Sequence, residues 1–143
     1  MRHLILILLA AAPLTPGPAA FERLKRLEGA WHSKDARYLT LRVVAGGAAV
    51  VETHTSGPGK QLDSVIVYRL ENGELVAMYD GGAHATLKLA SATERELRFV
   101  DKGSGSSLLV SSASTDALEE QVSLHGANEA TVVFLREYVD TLK

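Results

Sequence analysis

Glu52-Thr53-His54 places a carboxylate and an imidazole two residues apart in a run of strand-forming residues. Side chains alternate across a strand, so this spacing puts both groups on one face. Such a pair could share a proton, orient the polar end of a ligand or offer two donor atoms to a metal ion. Glu52 follows Ala49-Val50-Val51, and a carboxylate turned inward from so apolar a strand needs a donor, because a buried unpaired charge is costly. Arg42, across Gly46-Gly47, is the cation nearest to hand in the sequence. Tyr79 and His84 flank Gly81-Gly82, where a phenol and an imidazole can line the mouth of a cavity, with Val51, Ile66 and Met78 as apolar surface beside them. The candidate ligand-binding set is therefore Glu52, His54, Ile66, Met78, Tyr79 and His84.

Other chemistries are poorly represented. Glu52-x-His54 with His84 lacks the close ligand spacing of a structural zinc site, so neither a metal nor a cofactor is assigned. His32 and His125 read as solvent-facing. Tyr68, Tyr79 and Tyr138 read as wall residues, useful where an apolar body must carry one polar tip. The serines between Ser104 and Ser114 form a polar loop, and Gly103-Ser104-Gly105-Ser106-Ser107 lacks the last glycine of a nucleophile elbow. No Gly-x-Gly-x-x-Gly turn or phosphate-binding Lys loop is present. Glu52, Asp63 and Asp80 could converge across strands as a glycosidase-type carboxylate pair, but no residue is assigned a catalytic role.

The 143 residues carry 15 Lys and Arg against 17 Asp and Glu, for a formal net charge of −2, and contain no cysteine. That balance argues against a surface that tracks nucleic-acid phosphates, and a thiol nucleophile, a disulfide or a thiolate metal site is excluded. Residues 1–20 read as a secretory signal peptide: Met1-Arg2-His3, an apolar run from Leu4 to Ala12, then a Pro/Gly/Ala stretch ending at Ala19-Ala20. Its apolar run of about 9 residues is too short for a membrane span, which needs roughly 20. Residues 21–143 are then expected to form one domain, secreted to a bacterial periplasm or, alternatively, released outside the cell. No transmembrane segment is expected.

The elements that would position the candidate residues follow from the change of hydrophobic period. Phe21, Leu24 and Leu27 recur every third residue, predicting about two turns of helix that Gly29 can end. Thereafter the pattern alternates. Tyr38–Val44 and Ala48–Thr55 pair across Gly46-Gly47, a type I′ turn, and Asp63–Glu71 pairs with Glu74–Asp80 across Asn72-Gly73. The second turn sets Leu70 opposite Leu75, Tyr68 opposite Ala77, Val67 opposite Met78 and Ile66 opposite Tyr79. Further strands are expected at Ala85–Ala90, Glu96–Val100, Leu108–Ser112, Leu118–Leu124 and Ala130–Val139, with a short one at Trp31. Their short separators leave no room for crossover helices, so the fold is all-β and antiparallel, an up-and-down β-barrel of about eight to ten strands with a sandwich as the alternative.

At Gly29-Ala30-Trp31 the chain resembles the lipocalin and calycin superfamily, whose first strand opens with Gly-x-Trp after a short helical turn. Phe21 to Lys25, Leu27 to Trp31 and the run Arg42-Val43-Val44-Ala45-Gly46-Gly47-Ala48-Ala49-Val50-Val51-Glu52-Thr53 are similar to a bacterial family of exported, lipocalin-like proteins of uncharacterised function. The resemblance implies that a basic residue of the last barrel strand, Arg136 by position, packs over the Trp31 indole, giving both residues a structural role. An up-and-down barrel has no internal crossover elements, so its natural site is the mouth and lumen, and the expected function is noncovalent binding or carriage of a small amphipathic or lipid-like ligand there. The alternatives are a structural or protein-interaction module of the cell envelope with a filled barrel, and a small hydrolase or isomerase.

Overall fold

The computed structural model describes residues 16–128 and 131–138. Helix α1 (Pro16–Arg26) is followed by β1 (Gly29–His32), β2 (Arg37–Val44), β3 (Ala49–Ser56), β4 (Gln61–Glu71), β5 (Glu74–Asp80), β6 (His84–Ala92), β7 (Glu96–Asp101), β8 (Ser106–Ser114), β9 (Ala117–Leu124), β10 (Ala127–Asn128) and β11 (Val132–Arg136). Each strand from β1 to β9 pairs antiparallel with the next, and β11 pairs with both β9 and β1, so ten strands close into a barrel without edges. The two-residue β10 folds back on β9 outside the closed circuit. This is a lipocalin-like architecture, and the sandwich is ruled out. Among the described residues no helix is long and apolar enough to cross a membrane.

Turn chemistry sets the register. Asn72 and Gly73 take φ of 51° and 80°, as a type I′ turn requires, and the pairs Leu70↔Leu75, Tyr68↔Ala77, Val67↔Met78 and Ile66↔Tyr79 follow as expected. The β2–β3 connection departs from the two-residue turn expected at Gly46-Gly47. Ala45, Gly46 and Gly47 all take positive φ in a tight turn, and Ala48 completes a four-residue loop that pairs Val44 with Ala49. The expected last strand at Ala130–Val139 is described only between Val132 and Arg136; Ala130 and Val139 lie outside the described residues.

One end of the barrel is plugged. The helix begins at Pro16, upstream of the expected Phe21, and buries Ala20, Phe21 and Leu24 against the lumen residues; residues 1–15 of the expected signal lie outside the described residues. Arg23 donates to the carbonyls of Thr93 and Glu94 at the β6–β7 turn and so pins the helix over that end. Trp31 is fully buried, its indole N–H donating to the Leu27 carbonyl at 3.1 Å. The Arg136 guanidinium lies 4.3 Å from the Trp31 ring centroid while donating to the carbonyls of Thr115 and Glu28 at 2.8 and 2.9 Å. Gly29 is required at this point, since its φ is +145° and an added Cβ would meet the Arg136 side chain at 3.0 Å. Cation–π attraction and three elements tied by one guanidinium make this the seal of the closed end.

Truncating Trp31 to Ala is expected to lower unfolding free energy by roughly 3–5 kcal/mol, as for other large buried aromatics. Arg136→Met should cost less, because a linear side chain still covers the indole. Urea denaturation of both variants checks the order.

Candidate functional site

The lumen divides into two unlike halves. Toward the helix it is filled by Trp31, Leu41, Val50, Tyr68, Leu75, Phe99 and Leu118, all buried. At the other end a cavity of about 510 Å³ opens to solvent, lined by Arg37, Ser56, Asp63, Ser64, Tyr79, Glu120, Val122, Val132 and Phe134. Between the two lies a polar layer of Glu52, His54, Glu120 and Tyr68.

Register explains how that layer assembles. On β3 the inward residues are Val50, Glu52 and His54, with Glu52 opposite Leu41 and Ile66, and His54 opposite Leu39 and Ser64. On β9 they are Leu118, Glu120 and Val122, with Glu120 opposite Val110 and Val132. Three strands, β2, β1 and β11, separate β3 from β9 around the wall, so the two carboxylates meet only across the lumen. His54 Nε2 stands 2.6 Å from Glu52 Oε2, an N–H donating to the carboxylate, and 3.3 Å from Glu120 Oε1. The Tyr68 hydroxyl donates to Glu52 Oε1 at 3.1 Å. The His54 ring meets Phe134 edge-on at 5.9 Å and Tyr68 leans on Phe99 at 5.6 Å, which fixes both rings.

Glu120 is the incompletely satisfied member. It is 4% exposed, and although His54 sits within ion-pair distance, neither of its carboxylate oxygens has a hydrogen-bond partner among the described residues. Burial, reinforced by the Glu52 charge and opposed by His54, raises its pKa from the usual 4.5 to about 8. For His54, burial alone favours the neutral ring, but the charges of Glu120 and Glu52 outweigh it and hold the imidazole up to about 11. Tyr68 is pushed well above the usual phenol range, first by burial and then by the two carboxylates, so it serves as a neutral donor. The arrangement can bind a donor-bearing group, move a proton between carboxyl and imidazole, or present one nitrogen and two carboxylate oxygens, all within 4.8 Å of one another, to a metal ion.

Of the residues singled out from sequence, Glu52, His54 and Ile66 face the lumen and Tyr79 lines its mouth. The β5–β6 turn folds over Tyr79, where a Cβ on Gly81 would come within 2.7 Å of the phenol oxygen and 2.5 Å of Ser64 Cβ. Met78 and His84 instead lie with Val65 and Val67 on the outer wall, and His84 pairs with Asp80 at 3.4 Å in solvent. Arg42, expected to neutralise Glu52, is exposed and opposite Val51 on the outer face; one residue of register separates it from the carboxylate. Of the three acids considered as a pair, Asp63 reaches the pocket rim and Asp80 remains exposed, while the acid that does meet Glu52 is Glu120. Glu120 was not singled out, yet it shares strand parity with Leu118, Val122 and Leu124, which is the signal that marks it as inward-facing.

No known family's sequence model matches the chain, and no curated protein is significantly similar to it.

Both shifted groups bind protons more tightly in the folded protein than in the unfolded chain. Their contribution is complete below their unfolded pKa values, 4.5 and 6.5, and is lost as pH rises through about 8 for Glu120 and about 11 for His54. In EDTA, therefore, stability should fall between pH 6 and pH 9, and Glu120→Gln should flatten the decline. Urea midpoints across that range check this; parallel profiles for the two proteins contradict it.

Proposed function

We propose that this protein binds a short amphipathic molecule, noncovalently, in the open half of the barrel. The observation that carries the reading is the pocket's two-sidedness: Val122, Val132 and Phe134 form an apolar wall, and Glu120 on the floor, ion-paired to His54, accepts no hydrogen bond at either oxygen among the described residues. A cavity of about 510 Å³ falls within the range typical of small-molecule sites, roughly 300–1,000 Å³. Its lining supports a ligand whose apolar body rests on the wall and whose donor-bearing end, an amine, amide or hydroxyl, reaches Glu120. Apolar contact supplies affinity at about 25 cal/mol per Å² removed from water, and the buried acceptors supply orientation. Because the lumen beneath the acidic layer is filled by side chains, a long extended lipid has no room to enter it. Ligand carriage needs no bond made or broken.

The Trp31–Arg136 seal supports kinship with lipocalin-like exported proteins. The basic tip, apolar run and small residues of positions 1–20 support export to a periplasm with removal of that segment. Cleavage after Ala20 takes Gly17 and Ala20 from the helix but leaves Phe21 and Leu24, its two large buried anchors.

Fragment screening by amide-shift mapping tests the binding reading. Short alkyl and aromatic amines or amides should perturb residues around Ser64, Tyr79, Val122 and Phe134. Val122→Trp, which fills the cavity from its apolar wall, should weaken the best compound at least about tenfold, a loss of roughly 1.4 kcal/mol. Shifts confined to the outer wall, or no shifts across the panel, favour a filled structural barrel instead. For export, the intact mass of periplasmic protein is expected to correspond to a chain starting within one residue of Phe21; an unprocessed cytoplasmic species refutes it.

A further inference from the structure

We propose that Glu52, His54 and Glu120 form a site for one divalent transition-metal ion of the zinc class at the floor of the pocket. The inference goes beyond organic-ligand binding and does not depend on it. Donor atoms from β3 and from β9, on opposite sides of the lumen, converge within 4.8 Å of one another. Convergence of acids alone would mean little. Here, however, Glu120 is buried, lines the pocket and, among the described residues, has no hydrogen-bond partner for either oxygen. A native interior leaves few such atoms unsatisfied, and an absent ion is one of the recognised reasons when it does.

Charge points the same way. Binding a metal displaces the protons held by His54 and Glu120; the two carboxylates and neutral imidazole that remain carry −2, which one divalent cation cancels, and among the described residues no Lys or Arg forms an ion pair with either carboxylate. The donor set of one imidazole nitrogen and two carboxylate oxygens suits Zn²⁺, Mn²⁺ or Fe²⁺ better than Ca²⁺ or Mg²⁺, which prefer oxygen alone. Tyr68 donates to Glu52 Oε1 and leaves Oε2 for coordination, an outer hydrogen bond of the kind that orients metal-binding carboxylates. Spacing is compatible after a small adjustment. Tetrahedral bonds of about 2.0–2.2 Å place neighbouring donors roughly 3.3–3.5 Å apart; His54 and Glu120 already stand at 3.3 Å, while His54 and Glu52 must part from 2.6 Å by rotation of the Glu52 carboxylate. Three protein donors leave a position for water or a ligand atom on the pocket side, the pattern of an open rather than a closed metal site.

The test is calorimetric titration of EDTA-stripped protein with Zn²⁺ at pH 7.5, with Co²⁺ absorption as a second readout. About one equivalent should bind with a Kd of micromolar or below, and Co²⁺ should give the intense visible bands of a four- or five-coordinate centre. Glu120→Gln and His54→Gln should each weaken Zn²⁺ at least roughly 100-fold, whereas His84→Ala, at the exposed Asp80–His84 pair, should not change it. Two results overturn the proposal: wild-type protein that binds no Zn²⁺ tighter than millimolar, and stoichiometric binding that survives both substitutions. Should either variant fail to fold, the wild-type Co²⁺ spectrum decides, because a weak six-coordinate aqua-like spectrum also overturns it.

Discussion

Two carboxylates enclosed in one lumen cannot both carry uncompensated charge, because the apolar walls that exclude water also remove the solvation that would sustain it. Glu52 and Glu120 face that constraint together. His54 stands between them as a shared cation, and Tyr68 supplies a neutral donor to the deeper acid. Together these leave the shallower acid, Glu120, ion-paired with His54 but, among the described residues, without a hydrogen bond at either oxygen on the pocket side. The polar layer is thus neither a solvated rim nor a fully satisfied structural network. It marks the plane at which the packed core gives way to the open cavity.

The rest of the fold makes such a layer tolerable. Closure by β8–β9 pairing and by the β9–β11–β1 run leaves the main wall without an edge. Helix α1 and the Trp31–Arg136 stack seal the far end. Below the polar layer, apolar packing of Trp31, Phe99, Leu41 and Leu118 supplies the burial that holds the barrel together. Above it, the wall carries fewer obligations to stability, and small or polar side chains such as Ser56 and Ser64 leave space.

Local patterns made the architecture legible and left the site half visible. Asn72-Gly73 determines its own register through the φ > 0 positions of a type I′ turn, so every cross-strand pair in that hairpin could be counted from the letters. Gly46-Gly47 was less informative because Ala45 also adopts positive φ and lengthens the loop. Parity on β3 placed Glu52 and His54 on one face, but could not say which partner met them. Arg42, close in sequence, lies across the strand's outer face, whereas Glu120, 68 positions downstream, arrives through closure of the whole barrel. Met78 and His84 lie near Tyr79 in the chain, yet alternation sends Met78 outward and the turn carries His84 into solvent. Proximity along a strand pair is readable; convergence across a lumen depends on strand number and closure.

The proposed role of the plane of Glu52, His54 and Glu120 is to receive what the barrel binds. Anomalous-scattering crystallography on protein grown with Zn²⁺ and soaked with a donor-bearing fragment addresses it most directly. An anomalous peak is expected among those three side chains, with fragment density rising from it along Val122, Val132 and Phe134. An intact Glu52–His54–Glu120 layer with no peak, beneath a mouth that stays filled only by solvent, would contradict it.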